Sequence, residues 1–533
     1  MPDSAPITNH VRGLYDRMEE RIMARDQHGA SEICYDIVRA GRPLTEMLAQ
    51  AVRIHGPYTH VPYHERIDDG YINFVNNDHC LLSARATLNL ASMMPKGAEG
   101  LPYAQTIWYM PTGLDIWNQK VLKAPGHYAR GYTPPPGEPP VPVVHWADQQ
   151  PKNLSGPIRE RLDQWMTHVH RGNVEDAYRV FLGLMEDKPN REDVLAELAF
   201  AGLIDVQDRA HNNRSYTTGH KAFRARATVE LGDAIGWDAT GSHDVIYAGA
   251  LDIAVGPRWY STYEMACNAV KIHLEGETLS AVPYAGVSDA ERALFDNVEP
   301  LTRFESEALI EVIIRQPEPG FIEHLANLLK AGKAPRAIVD TLQLGAAQVL
   351  LETHGANNFS LSQHCYEYCN TLGWFYDRFK HPQRIKLLFH AAAYLNRAAW
   401  HQHYIGELTP ARVKAPAAAS RLSGSSILAN LEAGLVEMDA EAAVGWTQAY
   451  IDGGEDRAPL VQRLAFAAAR VGNDPHNQEI AQCTLEDYAK NRSWDRERLL
   501  LASAQHTAGH RKYGDHLDCS RRFGMAMGLE ILQ

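Results

Sequence analysis

The sequence predicts an all-α protein made of about four degenerate copies of one multi-helix unit. Three observations lead there. Apolar residues recur at three- and four-residue spacing, as at Leu342, Ala346, Val349 and Leu350, which share one face of a helix. Runs with strict two-residue alternation are few, and valine and isoleucine fall inside the helical patterns instead of in bounded strand-like blocks. A short text also repeats: His79-Cys-Leu-Leu-Ser-Ala-Arg85-Ala86-Thr87 is echoed by His220-Lys-Ala-Phe-Arg-Ala-Arg226-Ala227-Thr228.

Weaker copies begin at His364 (His364-Cys-Tyr-Glu-Tyr-Cys-Asn370-Thr371) and at His476 (His476-Asn-Gln-Glu-Ile-Ala-Gln482-Cys483-Thr484). The four histidines lie 141, 144 and 112 residues apart, room for about four helices per unit. Helix pairs precede the later copies: Ile322 to Gly332 with Ala337 to Leu342, and Ala443 to Gly453 with Leu460 to Ala465. A further apolar helix follows, starting near Tyr247, Leu387 and Leu499. Such units can stack as a solenoid or close into an α/α ring.

A chain of 533 residues exceeds what one hydrophobic core serves. Three segments read as connections. Tyr132 to Pro142 is proline-rich, and proline removes helix donors and holds its predecessor extended. The others are Asp296 to Pro300 and Thr409 to Ser426. The expected units are residues 1–150 with the proline-rich connection, 151–298, 299–412 and 413–533.

A formal charge of -13 argues against nucleic acid, which needs a basic stripe. The N-terminus lacks an apolar signal region, and no apolar run approaches the ~18 residues of a membrane span, so a cytoplasmic location is expected. Seven scattered cysteines fit reduced thiols better than a disulfide framework. Cys365 and Cys369 share a helix face but lack the pairing of a zinc ribbon, and they read as buried small hydrophobes.

The 25 histidines are the chemical signal. Neutral imidazole is a common metal ligand, and helix-borne imidazoles build sites in bundle proteins. The expected metal ligands are His79, His220, His243, His364 and His390. His243 follows His220 by 23 residues as His390 follows His364 by 26. Asp115, Asp252 and Glu367 are the expected catalytic carboxylates, and a divalent iron or zinc ion the expected cofactor. Trp108, Tyr109, Trp117, Trp259, Tyr260 and Trp374 would suit an apolar organic substrate. His506 and His510, at i and i+4, have no Glu in the zinc-protease order, and with His401 and His403 they read as surface or packing residues. Ser242-His243-Asp244 is similar to the His-Asp pair of the HD phosphohydrolases but lacks their preceding apolar stretch and remaining ligand pattern.

No Gly-x-Gly-x-x-Gly, Walker A or Gly-x-Ser-x-Gly text occurs, so a nicotinamide or flavin Rossmann domain is not expected. This His-rich, all-helical character without a Rossmann motif resembles the questin-oxidase-like oxygenases, to which no motif residue is carried over. Two functions follow: a metal-dependent oxidoreductase or oxygenase acting on a small apolar or aromatic molecule, or a helical-repeat scaffold that binds a protein partner.

Overall fold

Caps and prolines set where the helices start. Thr302 accepts from the Glu305 backbone while the Glu305 side chain reaches back to the Thr302 amide, a closed capping box at the head of Arg303–Arg315. Pro335 and Pro475 open Pro335–Glu352 and Pro475–Lys490, where a missing N–H costs nothing. Gly219, with φ +96°, leads into His220–Ile235; a Cβ there would also strike the Phe223 ring at 2.6 Å.

The computed structural model describes residues 7–59, 64–66, 72–74, 79–113, 149–171, 173–205, 219–238, 250, 261–276, 286–355, 359–404, 409–411, 413–472, 474–510 and 514–532. Among the described residues it contains 22 α-helices. The only strands there are His64–Arg66 and Ile72–Phe74, paired antiparallel with Glu65 opposite Asn73. The all-α expectation holds. None of the described helices is long and apolar enough to cross a membrane.

Outer helices are amphipathic. Ile158–Arg171 buries Leu162, Trp165, Met166 and Val169, spaced i, i+3, i+4 and i+7. The expected helix pairs appear as Gly320–Lys330 with Pro335–Glu352, and as Ala440–Asp452 with Arg457–Arg470. Asp296 to Pro300 is a connection, tied to Lys333 through Glu299. The segment from Thr409 ends in a short turn, Ala417–Arg421, before Ser423 caps Gly424–Val436. Tyr132 to Pro142 lies outside the described residues.

Four helices differ from these because they are buried on nearly every face: Cys80–Leu90, His220–Ile235, Phe359–Arg378 and Pro475–Lys490. Each contacts two of the others. Cys80–Leu90 packs on His220–Ile235 and on Pro475–Lys490, and Phe359–Arg378 packs on the same two. Gly202 lets Arg191–Leu203 close on this bundle, since a Cβ there would meet the Lys221 carbonyl oxygen at 2.7 Å. Asp518–Met527, the last α-helix, returns to Gln27–Arg39, where Tyr35 meets Phe523 edge-on at 5.7 Å.

Polar groups inside such a bundle need partners or cost about 1–3 kcal/mol each. The arginines of the repeated text supply them. Arg226 donates to Asn370 Oδ1 at 2.6 Å, Glu486 Oε2 at 2.6 Å and Glu230 Oε1 at 2.9 Å. Arg85 reaches Cys483 Sγ at 3.5 Å and stands 3.7 Å from Glu367. All seven cysteines are free and buried, as packing residues would be.

Candidate metal centre

His79 is the N-cap of Cys80–Leu90, His220 the first residue of its helix and His476 the second residue of Pro475–Lys490. Side chains tilt toward a helix N-terminus, so rings at these positions extend past the helix end. His364 is different: it is the sixth residue of Phe359–Arg378, more than a turn inside the helix. The positive ends of three helices therefore point at this group of rings.

The bundle brings the four rings together. His79 Nε2 lies 3.1 Å from His220 Nε2, and His364 Nε2 lies 3.1 Å from His476 Nε2. Ring centroids are 4.2 Å apart for His79 and His476, 4.7 Å for His220 and His364, and 6.0 Å for His79 and His364. Ligand atoms of His79, His220 and His364 all fall within 4.8 Å of one another, as do those of His79, His476 and Glu479. Two nitrogens each ~2.0–2.1 Å from a zinc ion would be about 3.3 Å apart at the tetrahedral angle and about 2.9 Å at a right angle. The observed 3.1 Å contacts lie between, so these buried groups can hold a metal ion.

Carboxylates orient two of the rings. His79 Nδ1 donates to Glu479 Oε2 at 3.0 Å, and His476 Nδ1 to Asp474 Oδ1 at 2.7 Å. A carboxylate at Nδ1 fixes the proton there, and the Nε2 lone pair of the neutral ring is left for an ion. Burial alone would lower the His476 pKa, but Asp474 more than offsets it and raises it to about 9. Without an ion, His476 therefore keeps a second proton, which it can donate from Nε2 to His364. A metal has to displace that proton, which couples binding to pH. His364 is driven well below the ordinary value by burial, then by His476 and His79.

The expected site residues fare unequally. His79, His220 and His364 come together. His476, left out of the expected ligand set although it heads the fourth copy, joins them. His390 is in none of the metal-capable groups found among the described residues; it is fully buried beside the Tyr368 hydroxyl, 2.9 Å from Nδ1, and burial lowers its pKa to about 3. His243, Asp115 and Asp252 lie outside the described residues, as do Trp117, Trp259 and Tyr260. Glu367 is buried one turn past His364. Its pKa rises to about 8, first through burial and then through Glu479, with Arg85 opposing.

Trp374 is buried beneath Arg226, 5.3 Å from its guanidinium, and packs on Phe379 at 5.4 Å. Of surface and packing, the structure gives packing for His506 and His510: both are buried and stacked at 4.9 Å, and His510 also forms a third metal-capable group with Asp474 and His476. Their i, i+4 spacing showed that they face one way, while the partner Asp474 comes from another helix start. The side chains of His401 and His403 lie outside the description. Glu479 is a further residue of the group, and its signal in the sequence is the parallel of His476-x-x-Glu479 with His364-x-x-Glu367. Compared with family models, curated proteins and solved structures, the chain matches none.

Proposed function

We propose that the chain is a metal-dependent enzyme of the oxidoreductase or oxygenase type. In this reading a divalent ion is bound through Nε2 of His79, His220, His364 and His476, and the substrate is a small apolar or aromatic molecule. The observation that carries the reading is the pair of carboxylate-backed rings, His79 on Glu479 and His476 on Asp474, whose other nitrogens each face a further imidazole at 3.1 Å. A ring that serves only packing has no need of that arrangement. Four imidazoles would leave a bound ion room for a further donor, and an ion held so would supply oxygen chemistry. Two buried carboxylates beside four neutral rings match a double positive charge. Iron fits the oxidative reading, since zinc has no redox chemistry, and the resemblance to the questin-oxidase-like oxygenases agrees. Glu367, held largely protonated near neutral pH, is the carboxyl available to give up a proton.

In the same reading the repeated units close into a ring around the ion. Support comes from the cyclic packing of the four central helices and from the return of Asp518–Met527 to the first helices.

Elemental analysis of the purified protein tests the proposal. One iron or zinc ion per chain is expected, lost in His79→Ala and His364→Ala variants that keep a wild-type circular dichroism spectrum. A chain that binds no metal under any loading condition would sink it and leave the scaffold.

A further inference from the structure

His510 is outside the four-histidine set, and nothing in that set explains its position. It caps the C-terminal end of Arg498–Gly509, and its Nε2 stands 3.4 Å from Asp474 Oδ1. The same oxygen accepts the His476 Nδ1 proton at 2.7 Å and the His476 backbone N–H at 3.0 Å. Ligand atoms of Asp474, His476 and His510 lie within 4.8 Å of one another. Two imidazoles and a carboxylate with a fourth position open are a donor set for a divalent ion that can exchange. The side chains of His476 and His510 are 15% and 11% exposed, against 7% for His79, although the two His510 ring nitrogens are themselves buried. His476 belongs to both groups.

We propose that Asp474, His476 and His510 form a second divalent-cation site, a loading site that captures the ion and hands it through His476 to the inner cluster. The proposal rests on the four-histidine reading. A neutral imidazole has one lone pair, so His476 serves the two sites in turn. An ion in the outer site takes Nδ1, and the ring proton then sits on Nε2, facing His364 Nε2 at 3.1 Å. When the ion moves inward it takes Nε2, and the proton returns to Nδ1, where Asp474 accepts it. The doubly protonated ring of the empty site releases its Nδ1 proton to solvent as the outer site fills and keeps one proton from then on, and the chain ends with one tightly held ion.

The full chain, stripped of metal by a chelator, is mixed with Co²⁺. Uptake is followed by stopped-flow absorption, and the final content by elemental analysis. His510→Ala, and His510→Gln as a variant that preserves a hydrogen-bonding side chain, should slow uptake at least about tenfold. Both should still reach one ion per chain with the wild-type visible spectrum. His354→Ala, exposed and in neither group, should load at the wild-type rate. Wild-type uptake rates in both His510 variants would overturn the loading site and leave the inner centre standing. Loss of the equilibrium ion in His510→Gln would also overturn it, by placing His510 in the holding set. His364→Ala separates the two readings: it should lose the tight ion yet keep a weak one that disappears when His510 is also replaced. Tight binding unaffected by His364→Ala would overturn the inner centre, and the transfer with it.

Discussion

His381 and His79 are both buried, and each bonds a buried glutamate, but the two rings differ in what faces the second nitrogen. His381 Nε2 is 3.1 Å from Glu197 Oε2, and its Nδ1 accepts the Gln383 backbone N–H at 3.2 Å. Phe200 stacks on the ring face at 4.1 Å. The protein answers both nitrogens of that ring. His79 gives Nδ1 to Glu479 at 3.0 Å, but its Nε2 meets the imidazole of His220, with the His476 ring 4.2 Å away. Burial and a carboxylate therefore do not make a ligand. A second nitrogen turned toward other imidazoles is what places His79 in groups that could hold an ion.

The largest expected effect separates these two rings. His364→Ala should abolish stoichiometric metal binding, whereas His381→Ala should leave metal content unchanged. An ion held at 1,000 times its dissociation constant stabilises the fold by about 4.1 kcal/mol. Chelation should remove that contribution from the wild type and change His364→Ala little, as read by denaturant unfolding with and without chelator. A His381→Ala protein that loses its ion would erase the distinction.

The next test concerns Glu197 itself. Burial would raise its pKa, but His381 and then Arg159, which donates at 2.9 Å, bring it down to about 2. A carboxylate with a depressed folded-state pKa stabilises the fold above its unfolded value. That contribution fades as pH falls from about 4.5 toward about 2 and reaches about 3 kcal/mol at neutral pH. Glu197→Gln should be less stable than wild type at pH 7 by up to this amount, and the two unfolding curves should converge on acidification. A gap that stays constant from pH 7 to pH 3 would show that the ion pair is not its source. Somewhat smaller is the cost of neutralising the carboxylates behind the proposed ligands. Glu479→Gln and Asp474→Asn should each weaken metal binding about 10–100-fold, or about 1.4–2.7 kcal/mol, by competition with a chromophoric chelator. Unchanged affinity would make both carboxylates bystanders.

Helical periodicity is local, and so the all-α class and the helix pairs after residue 320 could be read directly. The repeated text pointed to His79, His220 and His364 because a shared position in similar units was visible without knowing the packing. His476 was visible too, at the head of the weakest copy. Asp474 two residues before it and Glu479 three after it, the carboxylates that orient two rings, were signals available in the text. His390 was expected on spacing alone, and a 26-residue interval across a helix break fixes no direction. His510 shows the complementary failure: 34 residues separate it from His476, and only the packing of Arg498–Gly509 on Pro475–Lys490 brings the two near each other.

The smallest expected effect tests whether His390 belongs with His381 or with His79. The Tyr368 hydroxyl lies 2.9 Å from His390 Nδ1 and 2.7 Å from the Leu203 carbonyl oxygen, and all three groups are buried. Tyr368→Phe keeps the ring and its T-shaped contact with Tyr394 at 5.5 Å, and removes only the hydroxyl. Two buried polar groups then lose a partner, which should cost about 1–2 kcal/mol in denaturant unfolding. Because burial holds the His390 pKa near 3, the ring is neutral across the range where the fold is stable, and the cost should be the same at pH 5.5 and pH 8. Metal content should be unchanged, since His390 contributes no atom to the metal-capable groups among the described residues. If Tyr368→Phe instead releases the ion while the helical content is preserved, His390 is coupled to the centre. The direction of a ring's second nitrogen would then not be enough to tell a ligand from a packing residue.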